Sequence, residues 1–549
     1  MTRQLLPGGL FLVLLYVLVY IVPLGARPMI IPDEVRYAEI PREMIASGDW
    51  LVPRLAGLRY FEKPVMGYWM TAAAMEIFGQ NPFGARFASA AAAGLSALIL
   101  FALVRRFACH ETAFAATAIY LTMGLVMGLG VYNVLDGPLN LFITAAMAAF
   151  FTAVQQPGGS RRKALYLVLC GIACGCGFLT KGFVAFAVPA VAAFPYMIWQ
   201  RRLKELLIIG WIPFFTALLT VAPWALLVHQ REPDFWRFFI FNEHLRRFMA
   251  DSAQHRAGFW YYLALLPAAA MPWTFLAPAA ATGLKGDALK SDLLRWAVCW
   301  LVFPLVFFSV SRGKILTYIL PCFAPLAIVL ACGFSRLADR RPGKLLRVGT
   351  LALCVAALLV ATALAAVQLW HLYGLTLYAD RLQATLVTAA ALACSLLLLL
   401  ASRQPSVMRL VTVAAAAPVA VMLAAPIALP DATLVRKAPC DFLRRQAVRV
   451  KPTSVLVADE RLMAAVCWVY GRSDVRQLDF GGELSYGLTF DDSRDRMVHP
   501  GKFGAFVRRN AGRLILLISA ERWAPIRDGL PRPVFEARNA RNGFVFLQF

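Results

Sequence analysis

Residues 5–44 read LLPGGLFLVLLYVLVYIVPLGARPMIIPDEVRYAEIPREM. The first half is an apolar run about as long as a spanning helix needs. The second half, PDEVRYAEIPREM at 32–44, crowds Asp33, Glu34, Glu39 and Glu43 among Arg36 and Arg42 immediately after that run. A charged segment in this place is either a solvated helix start beside a membrane or the edge of a reaction chamber. Arg3 and the small residues Gly25-Ala26 fit a cleaved leader loosely, but the apolar core is long and further spans follow. An uncleaved anchor is the favoured reading.

Working outward, the 549 residues are 60% hydrophobic and 16% charged, with a mean hydropathy of +0.64. A soluble fold of this size could not hide so much apolar surface, so most of the chain is expected to face lipid. Apolar windows fall near 6–25, 84–104, 112–131, 138–155, 164–180, 183–199, 206–228, 258–280, 292–310, 315–334, 348–369, 382–402 and 408–429, which predicts about thirteen helices. The pair within 164–199 is short. A cytoplasmic N-terminus places Arg105-Arg106, Arg161-Arg162-Lys163, Arg201-Arg202-Lys204, the Arg336–Arg347 cluster and Arg403/Arg409 in inner loops. All of these loops are basic, as the positive-inside rule requires. Thirteen spans then put the C-terminal segment outside, in the periplasm of a Gram-negative cell.

That segment, 430–549, has apolar runs of strand length: SVLVA (454–458), RLILLIS (513–519) and FVFLQF (544–549). It reads as a small soluble α/β domain following a transmembrane domain at 1–429. Cys440 and Cys467 are its two cysteines; an oxidising compartment would let them pair, but spacing does not show proximity. DDSRD (491–495) reads as an exposed loop. Elsewhere, the cysteines of CGIACGCG (170–177) sit among glycines, the pattern of close helix packing rather than a metal site. No P-loop or dinucleotide glycine fingerprint is visible, so no nucleotide cofactor and no ATP-driven pump is expected.

The residues unusual for a membrane protein collect in the outer loops. The long first loop, 26–83, holds Asp33, Glu34, Tyr37, Arg54, Arg59, Tyr60, Glu62 and Lys63; the third span is followed by VYNVLDGPLN with Asp136. The loop after the seventh carries His229, Arg231, Arg237, His244, Arg246, Arg247, His255 and Arg256, and SRGKILTY after the ninth carries Arg312, Lys314 and Tyr318. One reading is structural: arginines snorkel to headgroups, and Pro32-Asp33-Glu34 opens a helix whose first turn favours acids. The other is a polar chamber with cations for phosphates and two separated carboxylates for chemistry. Asp136, a lone acid ending an apolar stretch, leans toward the second, because an ionisable group at membrane depth is costly without a role. The net charge of +24 fits an anionic ligand. His244 and His255 with Glu62 offer imidazole and carboxylate to zinc or manganese, although no recognised ligand spacing is present.

DEVRYAEIPREM, YFEKPVMGYW (60–69) and an outer Asp before Gly-Pro-Leu (136–139) together resemble membrane glycosyltransferases of the GT-C class. Within that class the chain most resembles the bacterial lipid A 4-amino-4-deoxy-L-arabinose transferases, the polymyxin-resistance proteins. The related protein O-mannosyltransferases share the Asp-Glu and outer-Asp features, so the motifs mark class better than substrate. The resemblance implies an undecaprenyl phosphate-linked aminoarabinose donor, a lipid A acceptor, and a monomer in the bacterial inner membrane with its site facing the periplasm. No nucleic acid partner is expected. It implies Asp33 as the main catalytic carboxylate and Asp136 as a second essential acid. Lys63, Tyr60, Tyr318, Arg246 and Arg247 are expected at the donor phosphate, Tyr37, Glu34 and Arg36 along the substrate cavity, and Glu62 at a divalent ion (zinc, magnesium or manganese). Glu39 and Glu43 are left with solvated or structural roles. Two departures stand out: Lys63-Pro64-Val65 replaces the frequent Lys-Pro-Pro, and Pro41 predicts a kink or two short helices where one is needed. A lipid flippase or transporter is the competing class; it should show paired repeats and broken midplane helices, whereas here the unusual charges crowd one face and no repeat is evident.

Overall fold

The computed structural model describes residues 5–246, 256–338, 342–370, 376–479, 481–540 and 543–549. The chain forms two compact units. One comprises Met1–Leu24, Arg86–Thr376 and Asp380–Ala428; the other comprises Gly25–Ala85, Leu377–Ala379 and Leu429–Phe549. A division at 429/430 follows chain order, whereas the compact units group the first loop with the C-terminal segment.

The first unit is helical. Among the described residues, nine helices are long and apolar enough to cross a membrane, from Pro82–Phe107 to Val407–Ala424. A tenth appears only if His110–Leu121 and Gly124–Gly130, bent by 64°, count as one span; Gly8–Ile21 and Val184–Trp199 are shorter apolar helices. The expected span at 258–280 is instead three pieces, Tyr261–Ala269, Trp273–Phe275 and Ala277–Gly283. Pro267 and Pro272 lie in this stretch, and a proline supplies no amide proton to continue a helix. The bend at 122–124 is satisfied internally. Thr122 donates to the Ala118 carbonyl at 2.6 Å, and the Gly124 amide donates to the Met271 carbonyl at 2.8 Å. Such breaks are tolerated at membrane depth where protein supplies the partners.

Burial separates the central helices from the outer ones. The helix Asp136–Val154 has 89% of its apolar window buried, whereas Leu203–Arg231 has 17% and Lys344–Trp370 has 22%. Exposed Leu218, Leu219, Leu226, Val355 and Leu359 on those outer helices suit a hydrocarbon environment. Gly171 and Gly175 do pack closely: a Cβ there would lie 2.5 Å from the Pro213 carbonyl oxygen and 2.6 Å from Thr220 Cβ. These glycines let the helices Arg161–Lys181 and Trp211–Arg231 touch backbone to backbone.

The second unit contains the α/β sheet. The first loop contributes the helix Asp33–Ser47, the hairpin β1 (Arg54–Leu55) and β2 (Leu58–Arg59), and the helix Met66–Phe78. The C-terminal segment contributes β3 (Val455–Ala458), β4 (Arg476–Leu478), β5 (Met497–Val498), β6 (Leu514–Ser519), β7 (Phe535–Arg538) and β8 (Phe544–Gln548). Their order is β5-β4-β3-β6-β8-β7, with β5, β4, β3 and β6 parallel and β8 antiparallel to both neighbours. The strand-length runs of the sequence fall on β3, β6 and β8. Strand β6, LILLIS, is buried at all six positions, the pattern of a central strand covered on both faces.

The hairpin of the first loop packs on this domain. A Cβ on Gly57 (φ 73°) would lie 2.8 Å from the Ser473 carbonyl oxygen, and the Arg496 guanidinium donates to the Ala56 carbonyl at 2.6 Å. Cys440 and Cys467 are both buried free thiols, so the pairing left open by the sequence is not made.

Candidate active site

The helix Asp33–Ser47 begins after Pro32, carries Asp33 and Glu34 in its first turn, and ends at Gly48 with φ 70°. Acids at the start complement the helix dipole, and a left-handed glycine closes the end. Of the expected kink or pair of short helices, the pair is not formed: one helix continues through Pro41. Pro41 removes the amide that would bond the Tyr37 carbonyl. The continuous burial of Ala38 to Met44 holds the turn in place regardless.

Around the first turns of this helix, Arg36 is the hub. Its guanidinium donates to Asp33 Oδ1 at 2.5 Å and to Glu483 Oε2, and its Cζ lies 4.8 Å from the Tyr37 ring centroid. The Tyr60 hydroxyl lies 2.9 Å from Glu483 Oε2 and 3.2 Å from Glu62 Oε2, so its single proton serves one carboxylate at a time. Lys63 Nζ donates to the Glu62 backbone carbonyl at 2.8 Å. Burial disfavours the Arg36 charge, but Tyr60, Tyr37, Glu483 and Asp33 outweigh it, and the proton is held more tightly than usual. Burial likewise raises the Tyr60 and Tyr68 phenols, which remain O–H donors at neutral pH. Among these acids Asp33 stays open, with 43% of its side chain exposed.

Two expectations need correcting. Glu34 does not line a cavity. It is fully buried, gripped by Arg27 through two bonds of 2.6 and 2.7 Å, and accepts the Ile30 amide at 3.0 Å. Neighbouring helix residues point different ways, so Asp33 and Glu34 cannot share one site. For Glu39 and Glu43 the structural of the two expected roles holds: both are buried, Arg42 donates twice to Glu39, at 2.7 and 2.6 Å, and Glu43 Oε2 accepts the Gly57 amide at 2.8 Å. The second correction is Arg36: its two terminal nitrogens are bonded to Glu483 and Asp33, only 11% of its side chain is exposed, and its Nε is buried without an acceptor among the described residues.

The other compact unit carries a second group. Asp136 opens the helix Asp136–Val154, and its Oδ1 lies 2.8 Å from Lys181 Nζ at the end of the helix Arg161–Lys181. Lys181 Nζ also lies 5.1 Å from the Tyr318 ring centroid. Nearby in sequence, Arg256, Ser311, Arg312 and Lys314 line a cavity of about 650 Å³. The buried Lys314 ammonium donates to the Ala257 and Ser311 carbonyls. A cavity with three cations suits an anion such as a lipid phosphate. Arg247 and His255 lie outside the described residues; Arg246 closes the helical turn Phe238–Arg246.

Two site residues escaped the sequence reading. Lys181 ends an apolar window as a single cation, a weak signal that resembles snorkelling. Glu483 comes from GGEL in the C-terminal segment, 447 positions from Arg36, where no motif marks it. As for metals, the group among the described residues that comes together is Glu39, Glu43 and Cys467, with ligand atoms within 4.8 Å of one another. It does not fit a cation well, because Arg42 already engages both oxygens of Glu39.

Residues 8–239 match the family profile of dolichyl-phosphate-mannose-protein mannosyltransferase, and residues 434–547 match that of the arabinosyl transferase ArnT C-terminal domain. The helical unit and its front half thus define a membrane glycosyltransferase that uses a lipid-phosphate sugar donor. Along nearly its whole length the chain is 39% identical to the undecaprenyl phosphate-alpha-4-amino-4-deoxy-L-arabinose arabinosyl transferase of Shewanella sediminis, covering 98% of this chain and 97% of that protein. It is 41% identical to the enzyme of the same name from Aeromonas salmonicida, covering 93% of each. The crystal structure of ArnT from Cupriavidus metallidurans bound to undecaprenyl phosphate superposes with a TM-score of 0.83 at 25% identity, over 98% of this chain and 97% of that one. The chain belongs to the undecaprenyl phosphate-alpha-4-amino-4-deoxy-L-arabinose arabinosyl transferase family.

Proposed function

We propose that this enzyme transfers 4-amino-4-deoxy-L-arabinose from undecaprenyl phosphate to the phosphate groups of lipid A. Its thirteen apolar segments lie in the bacterial inner membrane, with the site and the C-terminal domain on the periplasmic side. The observation that carries the reading is an open carboxylate, Asp33, held by Arg36 at the start of the first loop's helix, in a chain related end to end to enzymes of that name.

The reaction follows from the charges. The bond between the anomeric carbon and the donor phosphate oxygen breaks, and its electron pair leaves with undecaprenyl phosphate. An acceptor phosphate oxygen forms the new bond from the opposite face, so the anomeric configuration inverts. That nucleophile is already anionic, so positioning and charge screening matter more than deprotonation. Asp33 orients the acceptor or stabilises positive charge developing on the sugar, and Asp136, anchored by Lys181, is the second acid. Lys63, Tyr318, Arg246 and Arg247 stabilise the departing phosphate, while Tyr60, whose proton is taken by Glu483 or Glu62, acts behind them. Glu62 is the carboxylate a divalent cation would use; such an ion would add charge neutralisation at the leaving phosphate. The product carries an added amine, which lowers the negative charge of the outer membrane and its attraction for polymyxin and other cationic peptides.

The mannosyltransferase profile over 8–239 favours a second reading, in which a hydroxyl is the acceptor and Asp33 is its general base. Purified protein with labelled aminoarabinosyl undecaprenyl phosphate and lipid A tests both. Labelled lipid A is the expected product. Transfer to a protein hydroxyl alone supports the second reading, and lipid movement across vesicles without transfer overturns both. Chelator added to the same assay lowers the rate where a cation takes part, and an unchanged rate removes Glu62 from that role.

A further inference from the structure

The C-terminal domain supplies a carboxylate to the Asp33 group, and the loop that carries it is built for the purpose. Glu483 follows the carboxyl end of β4, the edge of a parallel sheet where α/β folds generally present functional groups. Behind it, the buried Gln477 amide donates to the Asp479 carbonyl at 3.2 Å and the Gly481 carbonyl at 3.0 Å, which ties these two residues to β4. Gly482 has φ 71°, in the left-handed region where L side chains are strained. The next residue delivers its carboxylate to two groups at once. Glu483 Oε2 accepts from the Arg36 guanidinium and lies 2.9 Å from the Tyr60 hydroxyl.

From this we infer that Glu483 is a positioning residue for sugar transfer, holding Arg36 and Tyr60 in place so that Asp33 is presented in one orientation. The inference rests on the reading of Asp33 as the catalytic carboxylate. Arg36 stands between two acids with unequal freedom: Asp33 has 43% of its side chain exposed and Glu483 has 34%, while Arg36 has 11%. Without Glu483, the guanidinium has Asp33 as its acidic partner and is free to swing with it, and Tyr60 keeps only Glu62. The domain would then be more than an appendage to the spans. It would complete the environment of the first loop's reactive end.

The test uses full-length protein in lipid nanodiscs with labelled aminoarabinosyl undecaprenyl phosphate and lipid A. The variants are E483A, E483Q and E483D, with D33N as reference. E483A is expected to lower kcat about 100-fold, the scale of a small misplacement of reacting groups. KM for either lipid should change little, as for an interaction that matters in the transition state. E483D is expected to restore most of the loss. The readout that a merely structural role would not move is the split between kcat and KM per folded molecule, together with the rescue by E483D. Lower thermal stability with kcat per folded molecule unchanged in E483A, or wild-type kcat in E483Q, overturns the inference. Full activity in D33N would instead overturn the catalytic reading of Asp33, and the two failures appear in different variants.

Discussion

The helix Asp33–Ser47 carries two acid–arginine pairs at the same spacing, and they have opposite fates. Arg36 reaches back to Asp33, and Arg42 reaches back to Glu39, each three residues away. Side-chain exposure is 43% for Asp33 and zero for Glu39, while the two arginines are almost equally covered, at 11% and 9%. Pairs of the same charge and spacing thus become an open carboxylate at one end and a buried joint at the other. What separates them is the surface each meets: Glu39, Glu43 and Arg42 press on Gly57 and the Cys467 helix, whereas Asp33 is left at the helix start. Chemistry needs the accessible member of the series, and stability uses the inaccessible one.

The comparison breaks most clearly at Asp33. D33N keeps the size of the side chain and should lower transfer by about 10²- to 10⁴-fold, with the melting temperature almost unchanged. A variant with full turnover would make the two ends equivalent again. R42A should do the reverse. It leaves Glu39 buried without its guanidinium, so thermal unfolding should show a loss of about 3–5 kcal/mol, while turnover per folded molecule is retained.

A gentler probe is pH. Burial raises the Glu43 carboxyl above its ordinary 4.5, and the neighbouring Glu39 is raised by burial as well. The folded state therefore binds protons more tightly than the unfolded one across the window that starts at 4.5 and extends upward. Stability contributed by this proton is fully present below the window and is lost as pH rises through it. Thermal melts between acidic and mildly alkaline pH should thus fall in the wild type and fall less in E43Q. Glu43 Oε1 is buried with no donor, and an amide there supplies its own proton, a difference of about 1–2 kcal/mol at the alkaline end.

The smallest effect belongs at the rim. Arg59 holds the Asp492 carboxyl below its ordinary value, so that pair's contribution is present at neutral pH and is lost on acidification through the carboxylate range. Because Asp492 is 60% exposed, D492N should cost no more than about 1 kcal/mol in a denaturant titration, and added salt should shrink the difference.

Much of the architecture is visible in the chain itself. Apolar length marks the membrane helices, strand-length runs mark β3, β6 and β8, and the motifs at 33–44, 60–69 and 136–139 point to the acids and to Lys63. The hydropathy window at 258–280 fails because it averages apolar character over the break between Ala269 and Trp273, which composition does not register. Hydropathy windows also cannot tell Glu34 from Asp33, since adjacency in sequence says nothing about which neighbour meets Arg27. Lys181 and Glu483 were illegible for a related reason: each becomes meaningful only opposite a partner, 45 and 447 positions away.

What the amino-acid order determined alone is therefore the solvent each segment requires, because transfer of apolar surface depends on composition and periodicity over a few turns. Which charges end up open and which are locked together was decided only by the tertiary structure. The strength of an ion pair and the accessibility of a carboxylate depend on what covers them, and at Glu39 and Glu483 the relevant groups come from the far end of the chain.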